Sequence, residues 1–357
     1  MIKKLQQALP GKADGIVIVS PENRRYFTSF PSSDGILIVT KSDALFLTDS
    51  RYIEAAQNSV KGCRVKELKR LSEQIPEIYK ELGITEMTSP KFLVESDLIS
   101  VSQLKSLRKA FSGVTLSTVG GDEIIRSLRE IKTSNEINCI IAAQRIAEGA
   151  FDHILNFIKP GVSEKDIALE LDFYMLKNGA EALSFETIAI SGAKTSMPHG
   201  VPDENTVKSG DFVTMDFGAV VNGYHSDMTR TVAVGKISDK QIEVYNTVLK
   251  AQQSALECIK SGIGAREADA AARDVIESAG YGQYFRHSTG HGVGIEIHET
   301  PNLSPNSQIK LAAGNIVTVE PGIYIPDEFG VRIEDMVCVT EDGCINLTNA
   351  PKNLIYC

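Results

Sequence analysis

Long apolar runs, basic clusters and paired cysteines are all missing from this chain, and each gap removes a class of function. No apolar stretch among the 357 residues approaches membrane-spanning length, which takes about 20 residues, so no membrane partner is expected. No Lys/Arg-rich run stands out against a formal net charge of −9, which argues against nucleic acid and anionic membrane as partners. The six cysteines, Cys63, Cys139, Cys258, Cys338, Cys344 and Cys357, form no C-x-x-C pair. Scattered single cysteines in a chain of this size read as reduced and mostly packed, which fits a cytoplasmic setting. The N-terminal "MIKKLQQALPGKADGIVIVS" has lysines, but its apolar run GIVIV is too short for a secretory leader and suits a buried strand. Low-complexity segments and short-period repeats are also absent. What remains is 42% hydrophobic and 23% charged, an ordinary globular composition. It is long enough for one large or two medium domains.

The first third alternates short apolar runs with helical patterns. "GIVIVS", "GILIVT", "ALFLTD" and "KFLVES" read as strands, and "RYIEAAQ", "LSEQIPEIYKELG" and "LISVSQLKSLRKAFSG" as helices. This predicts an α/β domain over residues 1–128. A long helix then opens on a capping box of Thr133 and Glu136, keeps apolar residues at helical spacing through Ile158, and stops at Pro160-Gly161. Ser163 starts another helix that runs to Asn178-Gly179. Beyond residue 185 the texture changes. Strands are predicted at 185–191, 212–220, 224–234, 293–298, 315–320 and 331–340, with helices at about 238–261 and 265–279. Residues 129–357 therefore read as a second domain, a mainly antiparallel sheet flanked by helices, and the whole as an α/β (α+β) protein.

The segment "TMDFGAVVNGYHSD" carries Asp216 and Asp227 in an otherwise apolar hairpin. Asn222-Gly223 is a strong signal for a two-residue type I′ turn. Counting outward from it puts Val221 opposite Tyr224 and Asp216 opposite Thr229. Asp227, two residues from Thr229, then shares the face of Asp216 as a diagonal neighbour, about 7–8 Å away between Cα atoms. Two carboxylates on one face repel unless a proton or cation lies between them. One of them could instead serve the turn or pair with Arg230.

Polar residues interrupt other apolar segments in the same way. "TGHGVGIEIHE" sets His291 among glycines, with His298 seven residues on; a bulge or bend allowed by Gly290, Gly292 and Gly294 would bring both to one site. His287, His291 and His298 are three of only six histidines. "IVTVEPGIY" presents Glu320 before Pro321-Gly322, and "GVRIEDMVCV" places Arg332 and Glu334 on one strand face, which taken alone reads as a solvated surface pair. "SGAKTSMPHG" carries His199 in a loop. Together Asp216, Asp227, Glu320, Glu334 and His291 make a hard oxygen-rich donor set with one nitrogen and no thiolate, suited to divalent Mn, Co, Fe or Zn. Four negative charges match two divalent ions, and such a pair activates water and polarises a carbonyl for hydrolysis.

"MDFGAVVNGYHSDMTRT", "STGHGVGIEIHE", "VEPGIY" and "GVRIED" resemble the metallopeptidases of the pita-bread (creatinase/aminopeptidase) fold. The resemblance covers the whole second domain, whose curved antiparallel sheet it implies. It also implies metal ligation by Asp216, Asp227, His291, Glu320 and Glu334, with Asp227 and Glu334 contacting both ions. "SGAKTSMPHG" and "RHSTGH" resemble the branch that cleaves Xaa-Pro bonds, the Xaa-Pro aminopeptidases and the Xaa-Pro dipeptidases or prolidases, and the choice between the two stays open. In that branch the positions of His199, His287, His298 and Arg332 line the substrate site. The first domain is similar to the creatinase-type N-terminal domain. The resemblance thus implies two divalent metal ions per chain (Mn2+ or Co2+, with Zn2+ or Fe2+ as further candidates), a proline-containing peptide substrate and a homodimer. Glu320 would shuttle the proton of the attacking water. His298 and His199 would orient the scissile peptide and steady the tetrahedral intermediate, and Arg332 would bind a substrate carboxylate or hold Glu334. His225 reads as structural. The alternative is a catalytically idle peptide- or protein-binding module on the same fold.

Overall fold

The computed structural model describes residues 1–357, which pack as two compact units, Met1–Arg129 and Glu130–Cys357. No helix is long and apolar enough to cross a membrane.

The first unit is built on one six-stranded sheet: β1 (Gly15–Ile18), β2 (Ile36–Thr40), β3 (Ala44–Thr48), β4 (Arg64–Glu67), β5 (Lys91–Val94) and β6 (Thr115–Ser117), in the order β4-β3-β2-β1-β5-β6. Only β2 runs against its neighbours. Strands β1, β2 and β3 are buried along their whole length, as continuous apolar runs should be when helices cover both faces. The sequence reading missed β4 and β6. Both are edge strands, and "RVKE" and "TLS" carry the charge and polarity that protect an edge rather than the apolar signature of a centre. Of the six helices here, α1 (Ile2–Ala8), α2 (Pro21–Thr28), α3 (Ile53–Ser59), α4 (Leu71–Glu81), α5 (Val101–Ala110) and α6 (Gly121–Glu130), the first, second and last were also unread. Helix α2 forms on the polar sequence PENRRYFT because Ser20 caps it and Pro21 occupies its first turn.

The second unit opens with α7 (Ser134–Ile154), closed at its start by the reciprocal Thr133/Glu136 box, and α8 (Glu164–Lys177), capped by Ser163. Strands β7 (Ala182–Leu183), β8 (Ile188–Ser191), β9 (Phe212–Phe217), β10 (Ala219–Val221), β11 (Tyr224–His225) and β12 (Met228–Ala233) come next, and helices α9 (Asp239–Cys258) and α10 (Ala265–Ser278) follow. The chain ends in β13 (Gly290–Gly292), β14 (Glu299–Leu303), β15 (Ile316–Val319), β16 (Gly322–Ile325), β17 (Phe329–Arg332), β18 (Asp335–Val339) and β19 (Cys344–Asn346). Every pairing among these strands is antiparallel. One apolar core gathers Val244, Val248, Ala268 and Ile276 with Val317, Val331 and Val337. Another packs Ala147, Phe151, Ile167 and Leu171 against Val213, Met215 and Val232.

Long hairpins shape the sheets, and each breaks where it must turn. Val221 faces Tyr224 and Asp216 faces Thr229, the register set by the Asn222-Gly223 turn, whose φ values are +52° and +82°. The ladder is interrupted at Gly218, where a Cβ would lie 2.0 Å from the Ser226 carbonyl oxygen. The expected strands 212–220 and 224–234 are therefore each split in two. A second hairpin repeats the device: Val319 faces Asp335 and Gly322 faces Arg332, with Glu320-Pro321 and Ile333-Glu334 lying between the paired segments. The expected strand 331–340 thus begins at Phe329 and breaks at Glu334. The expected strand 293–298 does not form. The chain bends through these residues between β13 and β14, with a register shift at Gly290/Gly292. A Cβ on Gly290 would lie 2.0 Å from the Thr318 carbonyl oxygen, so that approach needs glycine.

Candidate active site

The breaks in the ladders place the acids. Asp227 lies just before β12, Glu320 between β15 and β16, and Glu334 between β17 and β18, while Asp216 is on β9 and His291 on β13. A strand that leaves its ladder can turn a side chain inward without losing its backbone partners elsewhere. Here the Glu334 amide donates to the Thr229 carbonyl at 3.1 Å and the Glu320 amide to that of Thr289 at 2.8 Å. Asp216, Asp227, His291, Glu320, Glu334, His199, His287, His298 and Arg332 all line one cavity of about 670 Å³.

Asp227, His291 and Glu334 each present a ligand atom within 4.8 Å of the others. The Nε2 of His291 is 3.5 Å from the Asp227 carboxylate and 3.5 Å from that of Glu320. Its Nδ1 lies 3.0 Å from the Gly292 carbonyl, which can only accept, so the proton is on Nδ1 and Nε2 is left free as a donor of electrons. Asp216 is gripped through Oδ2 by the Arg332 guanidinium at 2.6 Å. Thr229 donates to Glu334 Oε2 at 2.7 Å. The remaining oxygens, Asp216 Oδ1 and Glu334 Oε1, are buried with no hydrogen-bond partner.

Electrostatics show what such a site requires. Burial first, then Glu334, Asp216 and Glu320, push Asp227 well above the usual carboxylate range. Burial, Glu320 and Asp216 do the same to Glu334. Glu320 rises to about 8, chiefly through burial, with Arg332 opposing and Asp216 adding to the shift. Burial brings His291 down to about 4, so its imidazole is neutral and able to ligate. Converging carboxylates, two orphaned buried oxygens and a neutral imidazole aimed at them fit a divalent cation.

The residues expected on the substrate side lie around this cluster. The exposed His298 ring packs edge-on against His291 with centroids 4.4 Å apart. His199 is exposed on the loop after β8. His287 is partly buried, its pKa drawn down to about 4 by burial and by Arg332. Arg332 lines the cavity with its guanidinium already partnered. It is bonded to Asp216, and it touches Glu334 only through Thr229, whose hydroxyl accepts from Nε at 3.0 Å. Arg332 and Glu334 are buried, 4% and 1% exposed, so the solvated surface pair is excluded. Arg230 pairs with Asp335, not with either aspartate of the first hairpin. Two supporting residues escaped the sequence reading. The hairpin register marks Thr229 only as the position facing Asp216. Tyr324, pushed up to about 12 by burial, receives a hydrogen bond from Arg332 Nη1 at 2.9 Å and reaches His287 Nε2 at 3.0 Å. A tyrosine on an apolar strand was the available signal, because a buried hydroxyl needs a partner.

Comparison with known proteins finds matches over nearly the whole chain. Residues 138–341 match the family described as Metallopeptidase family M24, and residues 1–131 match the Creatinase/Prolidase N-terminal domain. The chain is 39% identical over 343 residues to an Xaa-Pro dipeptidase of Pyrococcus furiosus, covering 96% of this chain and 95% of that one. Among solved structures, an Xaa-Pro dipeptidase from Bacillus anthracis superposes with a TM-score of 0.93 at 44% identity, covering 100% of this chain and 99% of that one. An X-Pro aminopeptidase from Thermotoga maritima gives 0.89 at 33% identity over 97% of this chain and 98% of that one.

Proposed function

We propose, from the premise that this chain belongs to metallopeptidase family M24 with a creatinase/prolidase N-terminal domain, that it hydrolyses the Xaa-Pro peptide bond, with Xaa-Pro dipeptides as its main substrates. The metal ligands are Asp216, Asp227, His291, Glu320 and Glu334, holding two ions, manganese or cobalt. When bound, divalent ions supply Lewis acidity, which lowers the pKa of water and polarises a carbonyl. Glu320, facing the cavity, accepts the proton of the attacking water and passes it to the leaving proline nitrogen. His298 and His199 stand on the exposed side of the cluster, where they hydrogen-bond the scissile peptide and the oxyanion that develops from it. Tyr324 and Arg332 hold Asp216 and His287 in place.

Proline explains the need for a dedicated site. An Xaa-Pro bond has no N–H to offer and a fixed φ, so a cleft that reads backbone N–H groups binds it poorly. The observation that carries this reading is the convergence of the acids, histidines and Arg332 on one cavity. The relatives called Xaa-Pro dipeptidases, at 39% and 44% identity, favour the dipeptide.

The test is a substrate panel on protein stripped by chelator and reloaded with manganese or cobalt. Ala-Pro is expected to be cleaved only after reloading, faster than Ala-Pro-Gly-Gly, and Ala-Ala hardly at all. Asp227→Ala is expected to abolish turnover. Cleavage of Ala-Pro by the stripped protein, or by Asp227→Ala at the native rate, would refute the proposal.

A further inference from the structure

His199 stands on a loop that needs outside support. Residues 192–205 join β8 to the approach of β9, and within them Met197 is 56% and Val201 71% exposed. Such a segment has few apolar contacts to hold it, and a loop of this kind samples open states at little expense. Its ends, however, converge on one carboxylate. Glu164, the first residue of α8, is 0% exposed. Its Oε1 accepts from the Ser191 amide at 2.7 Å, the Ser191 hydroxyl at 3.0 Å and Asn205 Nδ2 at 2.8 Å. Its Oε2 accepts from Lys194 Nζ at 2.7 Å, and the same ammonium reaches Asp203 at 2.7 Å. Ser191 and Lys194 enter the loop, and Asp203 and Asn205 leave it. Other holds act beside the carboxylate: the Glu164 and Lys165 amides donate to the Asn205 and Asp203 carbonyls at 2.9 and 3.0 Å, and further in the Gly330 amide donates to Thr195 Oγ1 at 2.8 Å and Arg332 Nη1 to the Pro198 carbonyl at 3.3 Å.

We infer that Glu164 is a positioning residue for substrate: it clamps both ends of loop 192–205 and thereby sets His199 at the rim of the cavity. A buried carboxylate is expensive unless fully bonded, and here its donors are Ser191, the last residue of β8 before the loop, and Lys194 and Asn205 within it. A glutamate placed only to complement the α8 N-terminus would do so while exposed. The inference rests on the reading of His199 as a substrate residue.

The experiment compares Glu164→Ala, Glu164→Gln and His199→Ala in the full, metal-loaded chain. Two readouts are used, steady-state cleavage of Ala-Pro and amide hydrogen exchange. In Glu164→Ala, exchange is expected to accelerate across 192–205 alone, with manganese affinity unchanged. Its kcat/KM is expected to fall by about 100-fold, the scale of an ångström-sized misplacement, with KM rising. His199→Ala should show a comparable loss with normal exchange, and the double variant should lose no more than the worse single one. Glu164→Gln keeps the oxygen that serves Ser191 and Asn205 but turns an amide donor toward the Lys194 ammonium, so it should recover part of both readouts. Should Glu164→Ala fail to fold, Asn205→Ala, an exposed position, releases one end only and should shift both readouts in the same direction. Unchanged loop exchange in these variants, or exchange accelerated equally throughout the unit, would overturn the clamp. A wild-type protein that does not cleave Ala-Pro would instead overturn the proposed function, and loop exchange would still decide the clamp.

Discussion

Thr229 serves two charged groups with a single hydroxyl, donating to Glu334 and accepting from Arg332. It is fully buried, so no water can replace it. Thr229→Val keeps the shape and deletes the oxygen. Partners one step removed from a metal are typically worth about 10–100-fold in metal affinity, and a fall of that size in manganese binding is expected by calorimetry. Leaving Arg332 Nε without its acceptor should also lower stability by about 1–3 kcal/mol in urea unfolding. Unchanged affinity would show that Glu334 needs no such support. His287 yields a pH prediction. Its pKa falls from 6.5 to about 4 on folding, through burial and Arg332. Between those values the unfolded chain binds a proton that the folded chain refuses, so stability falls as pH drops through the window. Removing the imidazole with His287→Gln should flatten the fall in thermal midpoint from pH 6.5 to 4, and an identical profile would contradict the assignment.

At the scale of elements, the site is made by hairpins that break at their acids. Gly218 sits at the break in the first one, and a Cβ there would meet the Ser226 carbonyl oxygen at 2.0 Å. Gly218→Ala should therefore destabilise by about 1–3 kcal/mol, as overpacking does. Because Ser226 adjoins Asp227, metal-dependent activity should fall more than the loss of folded protein explains. A loss of activity that merely tracks unfolding would argue that the break does not position Asp227. The same hairpin shows why part of the site was legible. Asn222-Gly223 fixes a turn, a turn fixes a register, and the register puts Asp216 opposite Thr229. Reading stops at the hairpin's edge, however. Nothing local says which hairpin faces which, so the bond from Arg332 to Asp216 was out of reach. The bend that brings His291 and His298 together was signalled by Gly290, Gly292 and Gly294, but the strand expected over 293–298 was misread for a different reason. Apolar residues alternate there as in a strand, while the chain turns on local bonds, from the Gly294 amide to the Glu296 carbonyl at 3.0 Å and from the Glu296 amide to Glu299 Oε1 at 3.1 Å. The edge strands β4 and β6 were missed because charge and polarity mask them, and helix α2 because its polar sequence hides a mostly buried segment that includes Arg24, Tyr26 and Phe27.

For the whole molecule, the acid cluster works against folding until a cation joins it. Asp227 and Glu334 are pushed up by burial and by one another's neighbours, so the metal-free protein must protonate carboxyls or endure their repulsion. Metal at a hundredfold excess over its dissociation constant should add about 2.7 kcal/mol, read as a drop in thermal midpoint when chelator is added. An unchanged midpoint would mean that the cluster binds no structural cation. The central claim is that five side chains from separated strands meet around metal, and anomalous diffraction at the manganese edge, on crystals grown with that ion, tests it most directly. The account predicts two anomalous peaks, both enclosed by Asp216, Asp227, His291, Glu320 and Glu334. Peaks elsewhere on the surface, or none within that ring, would contradict it.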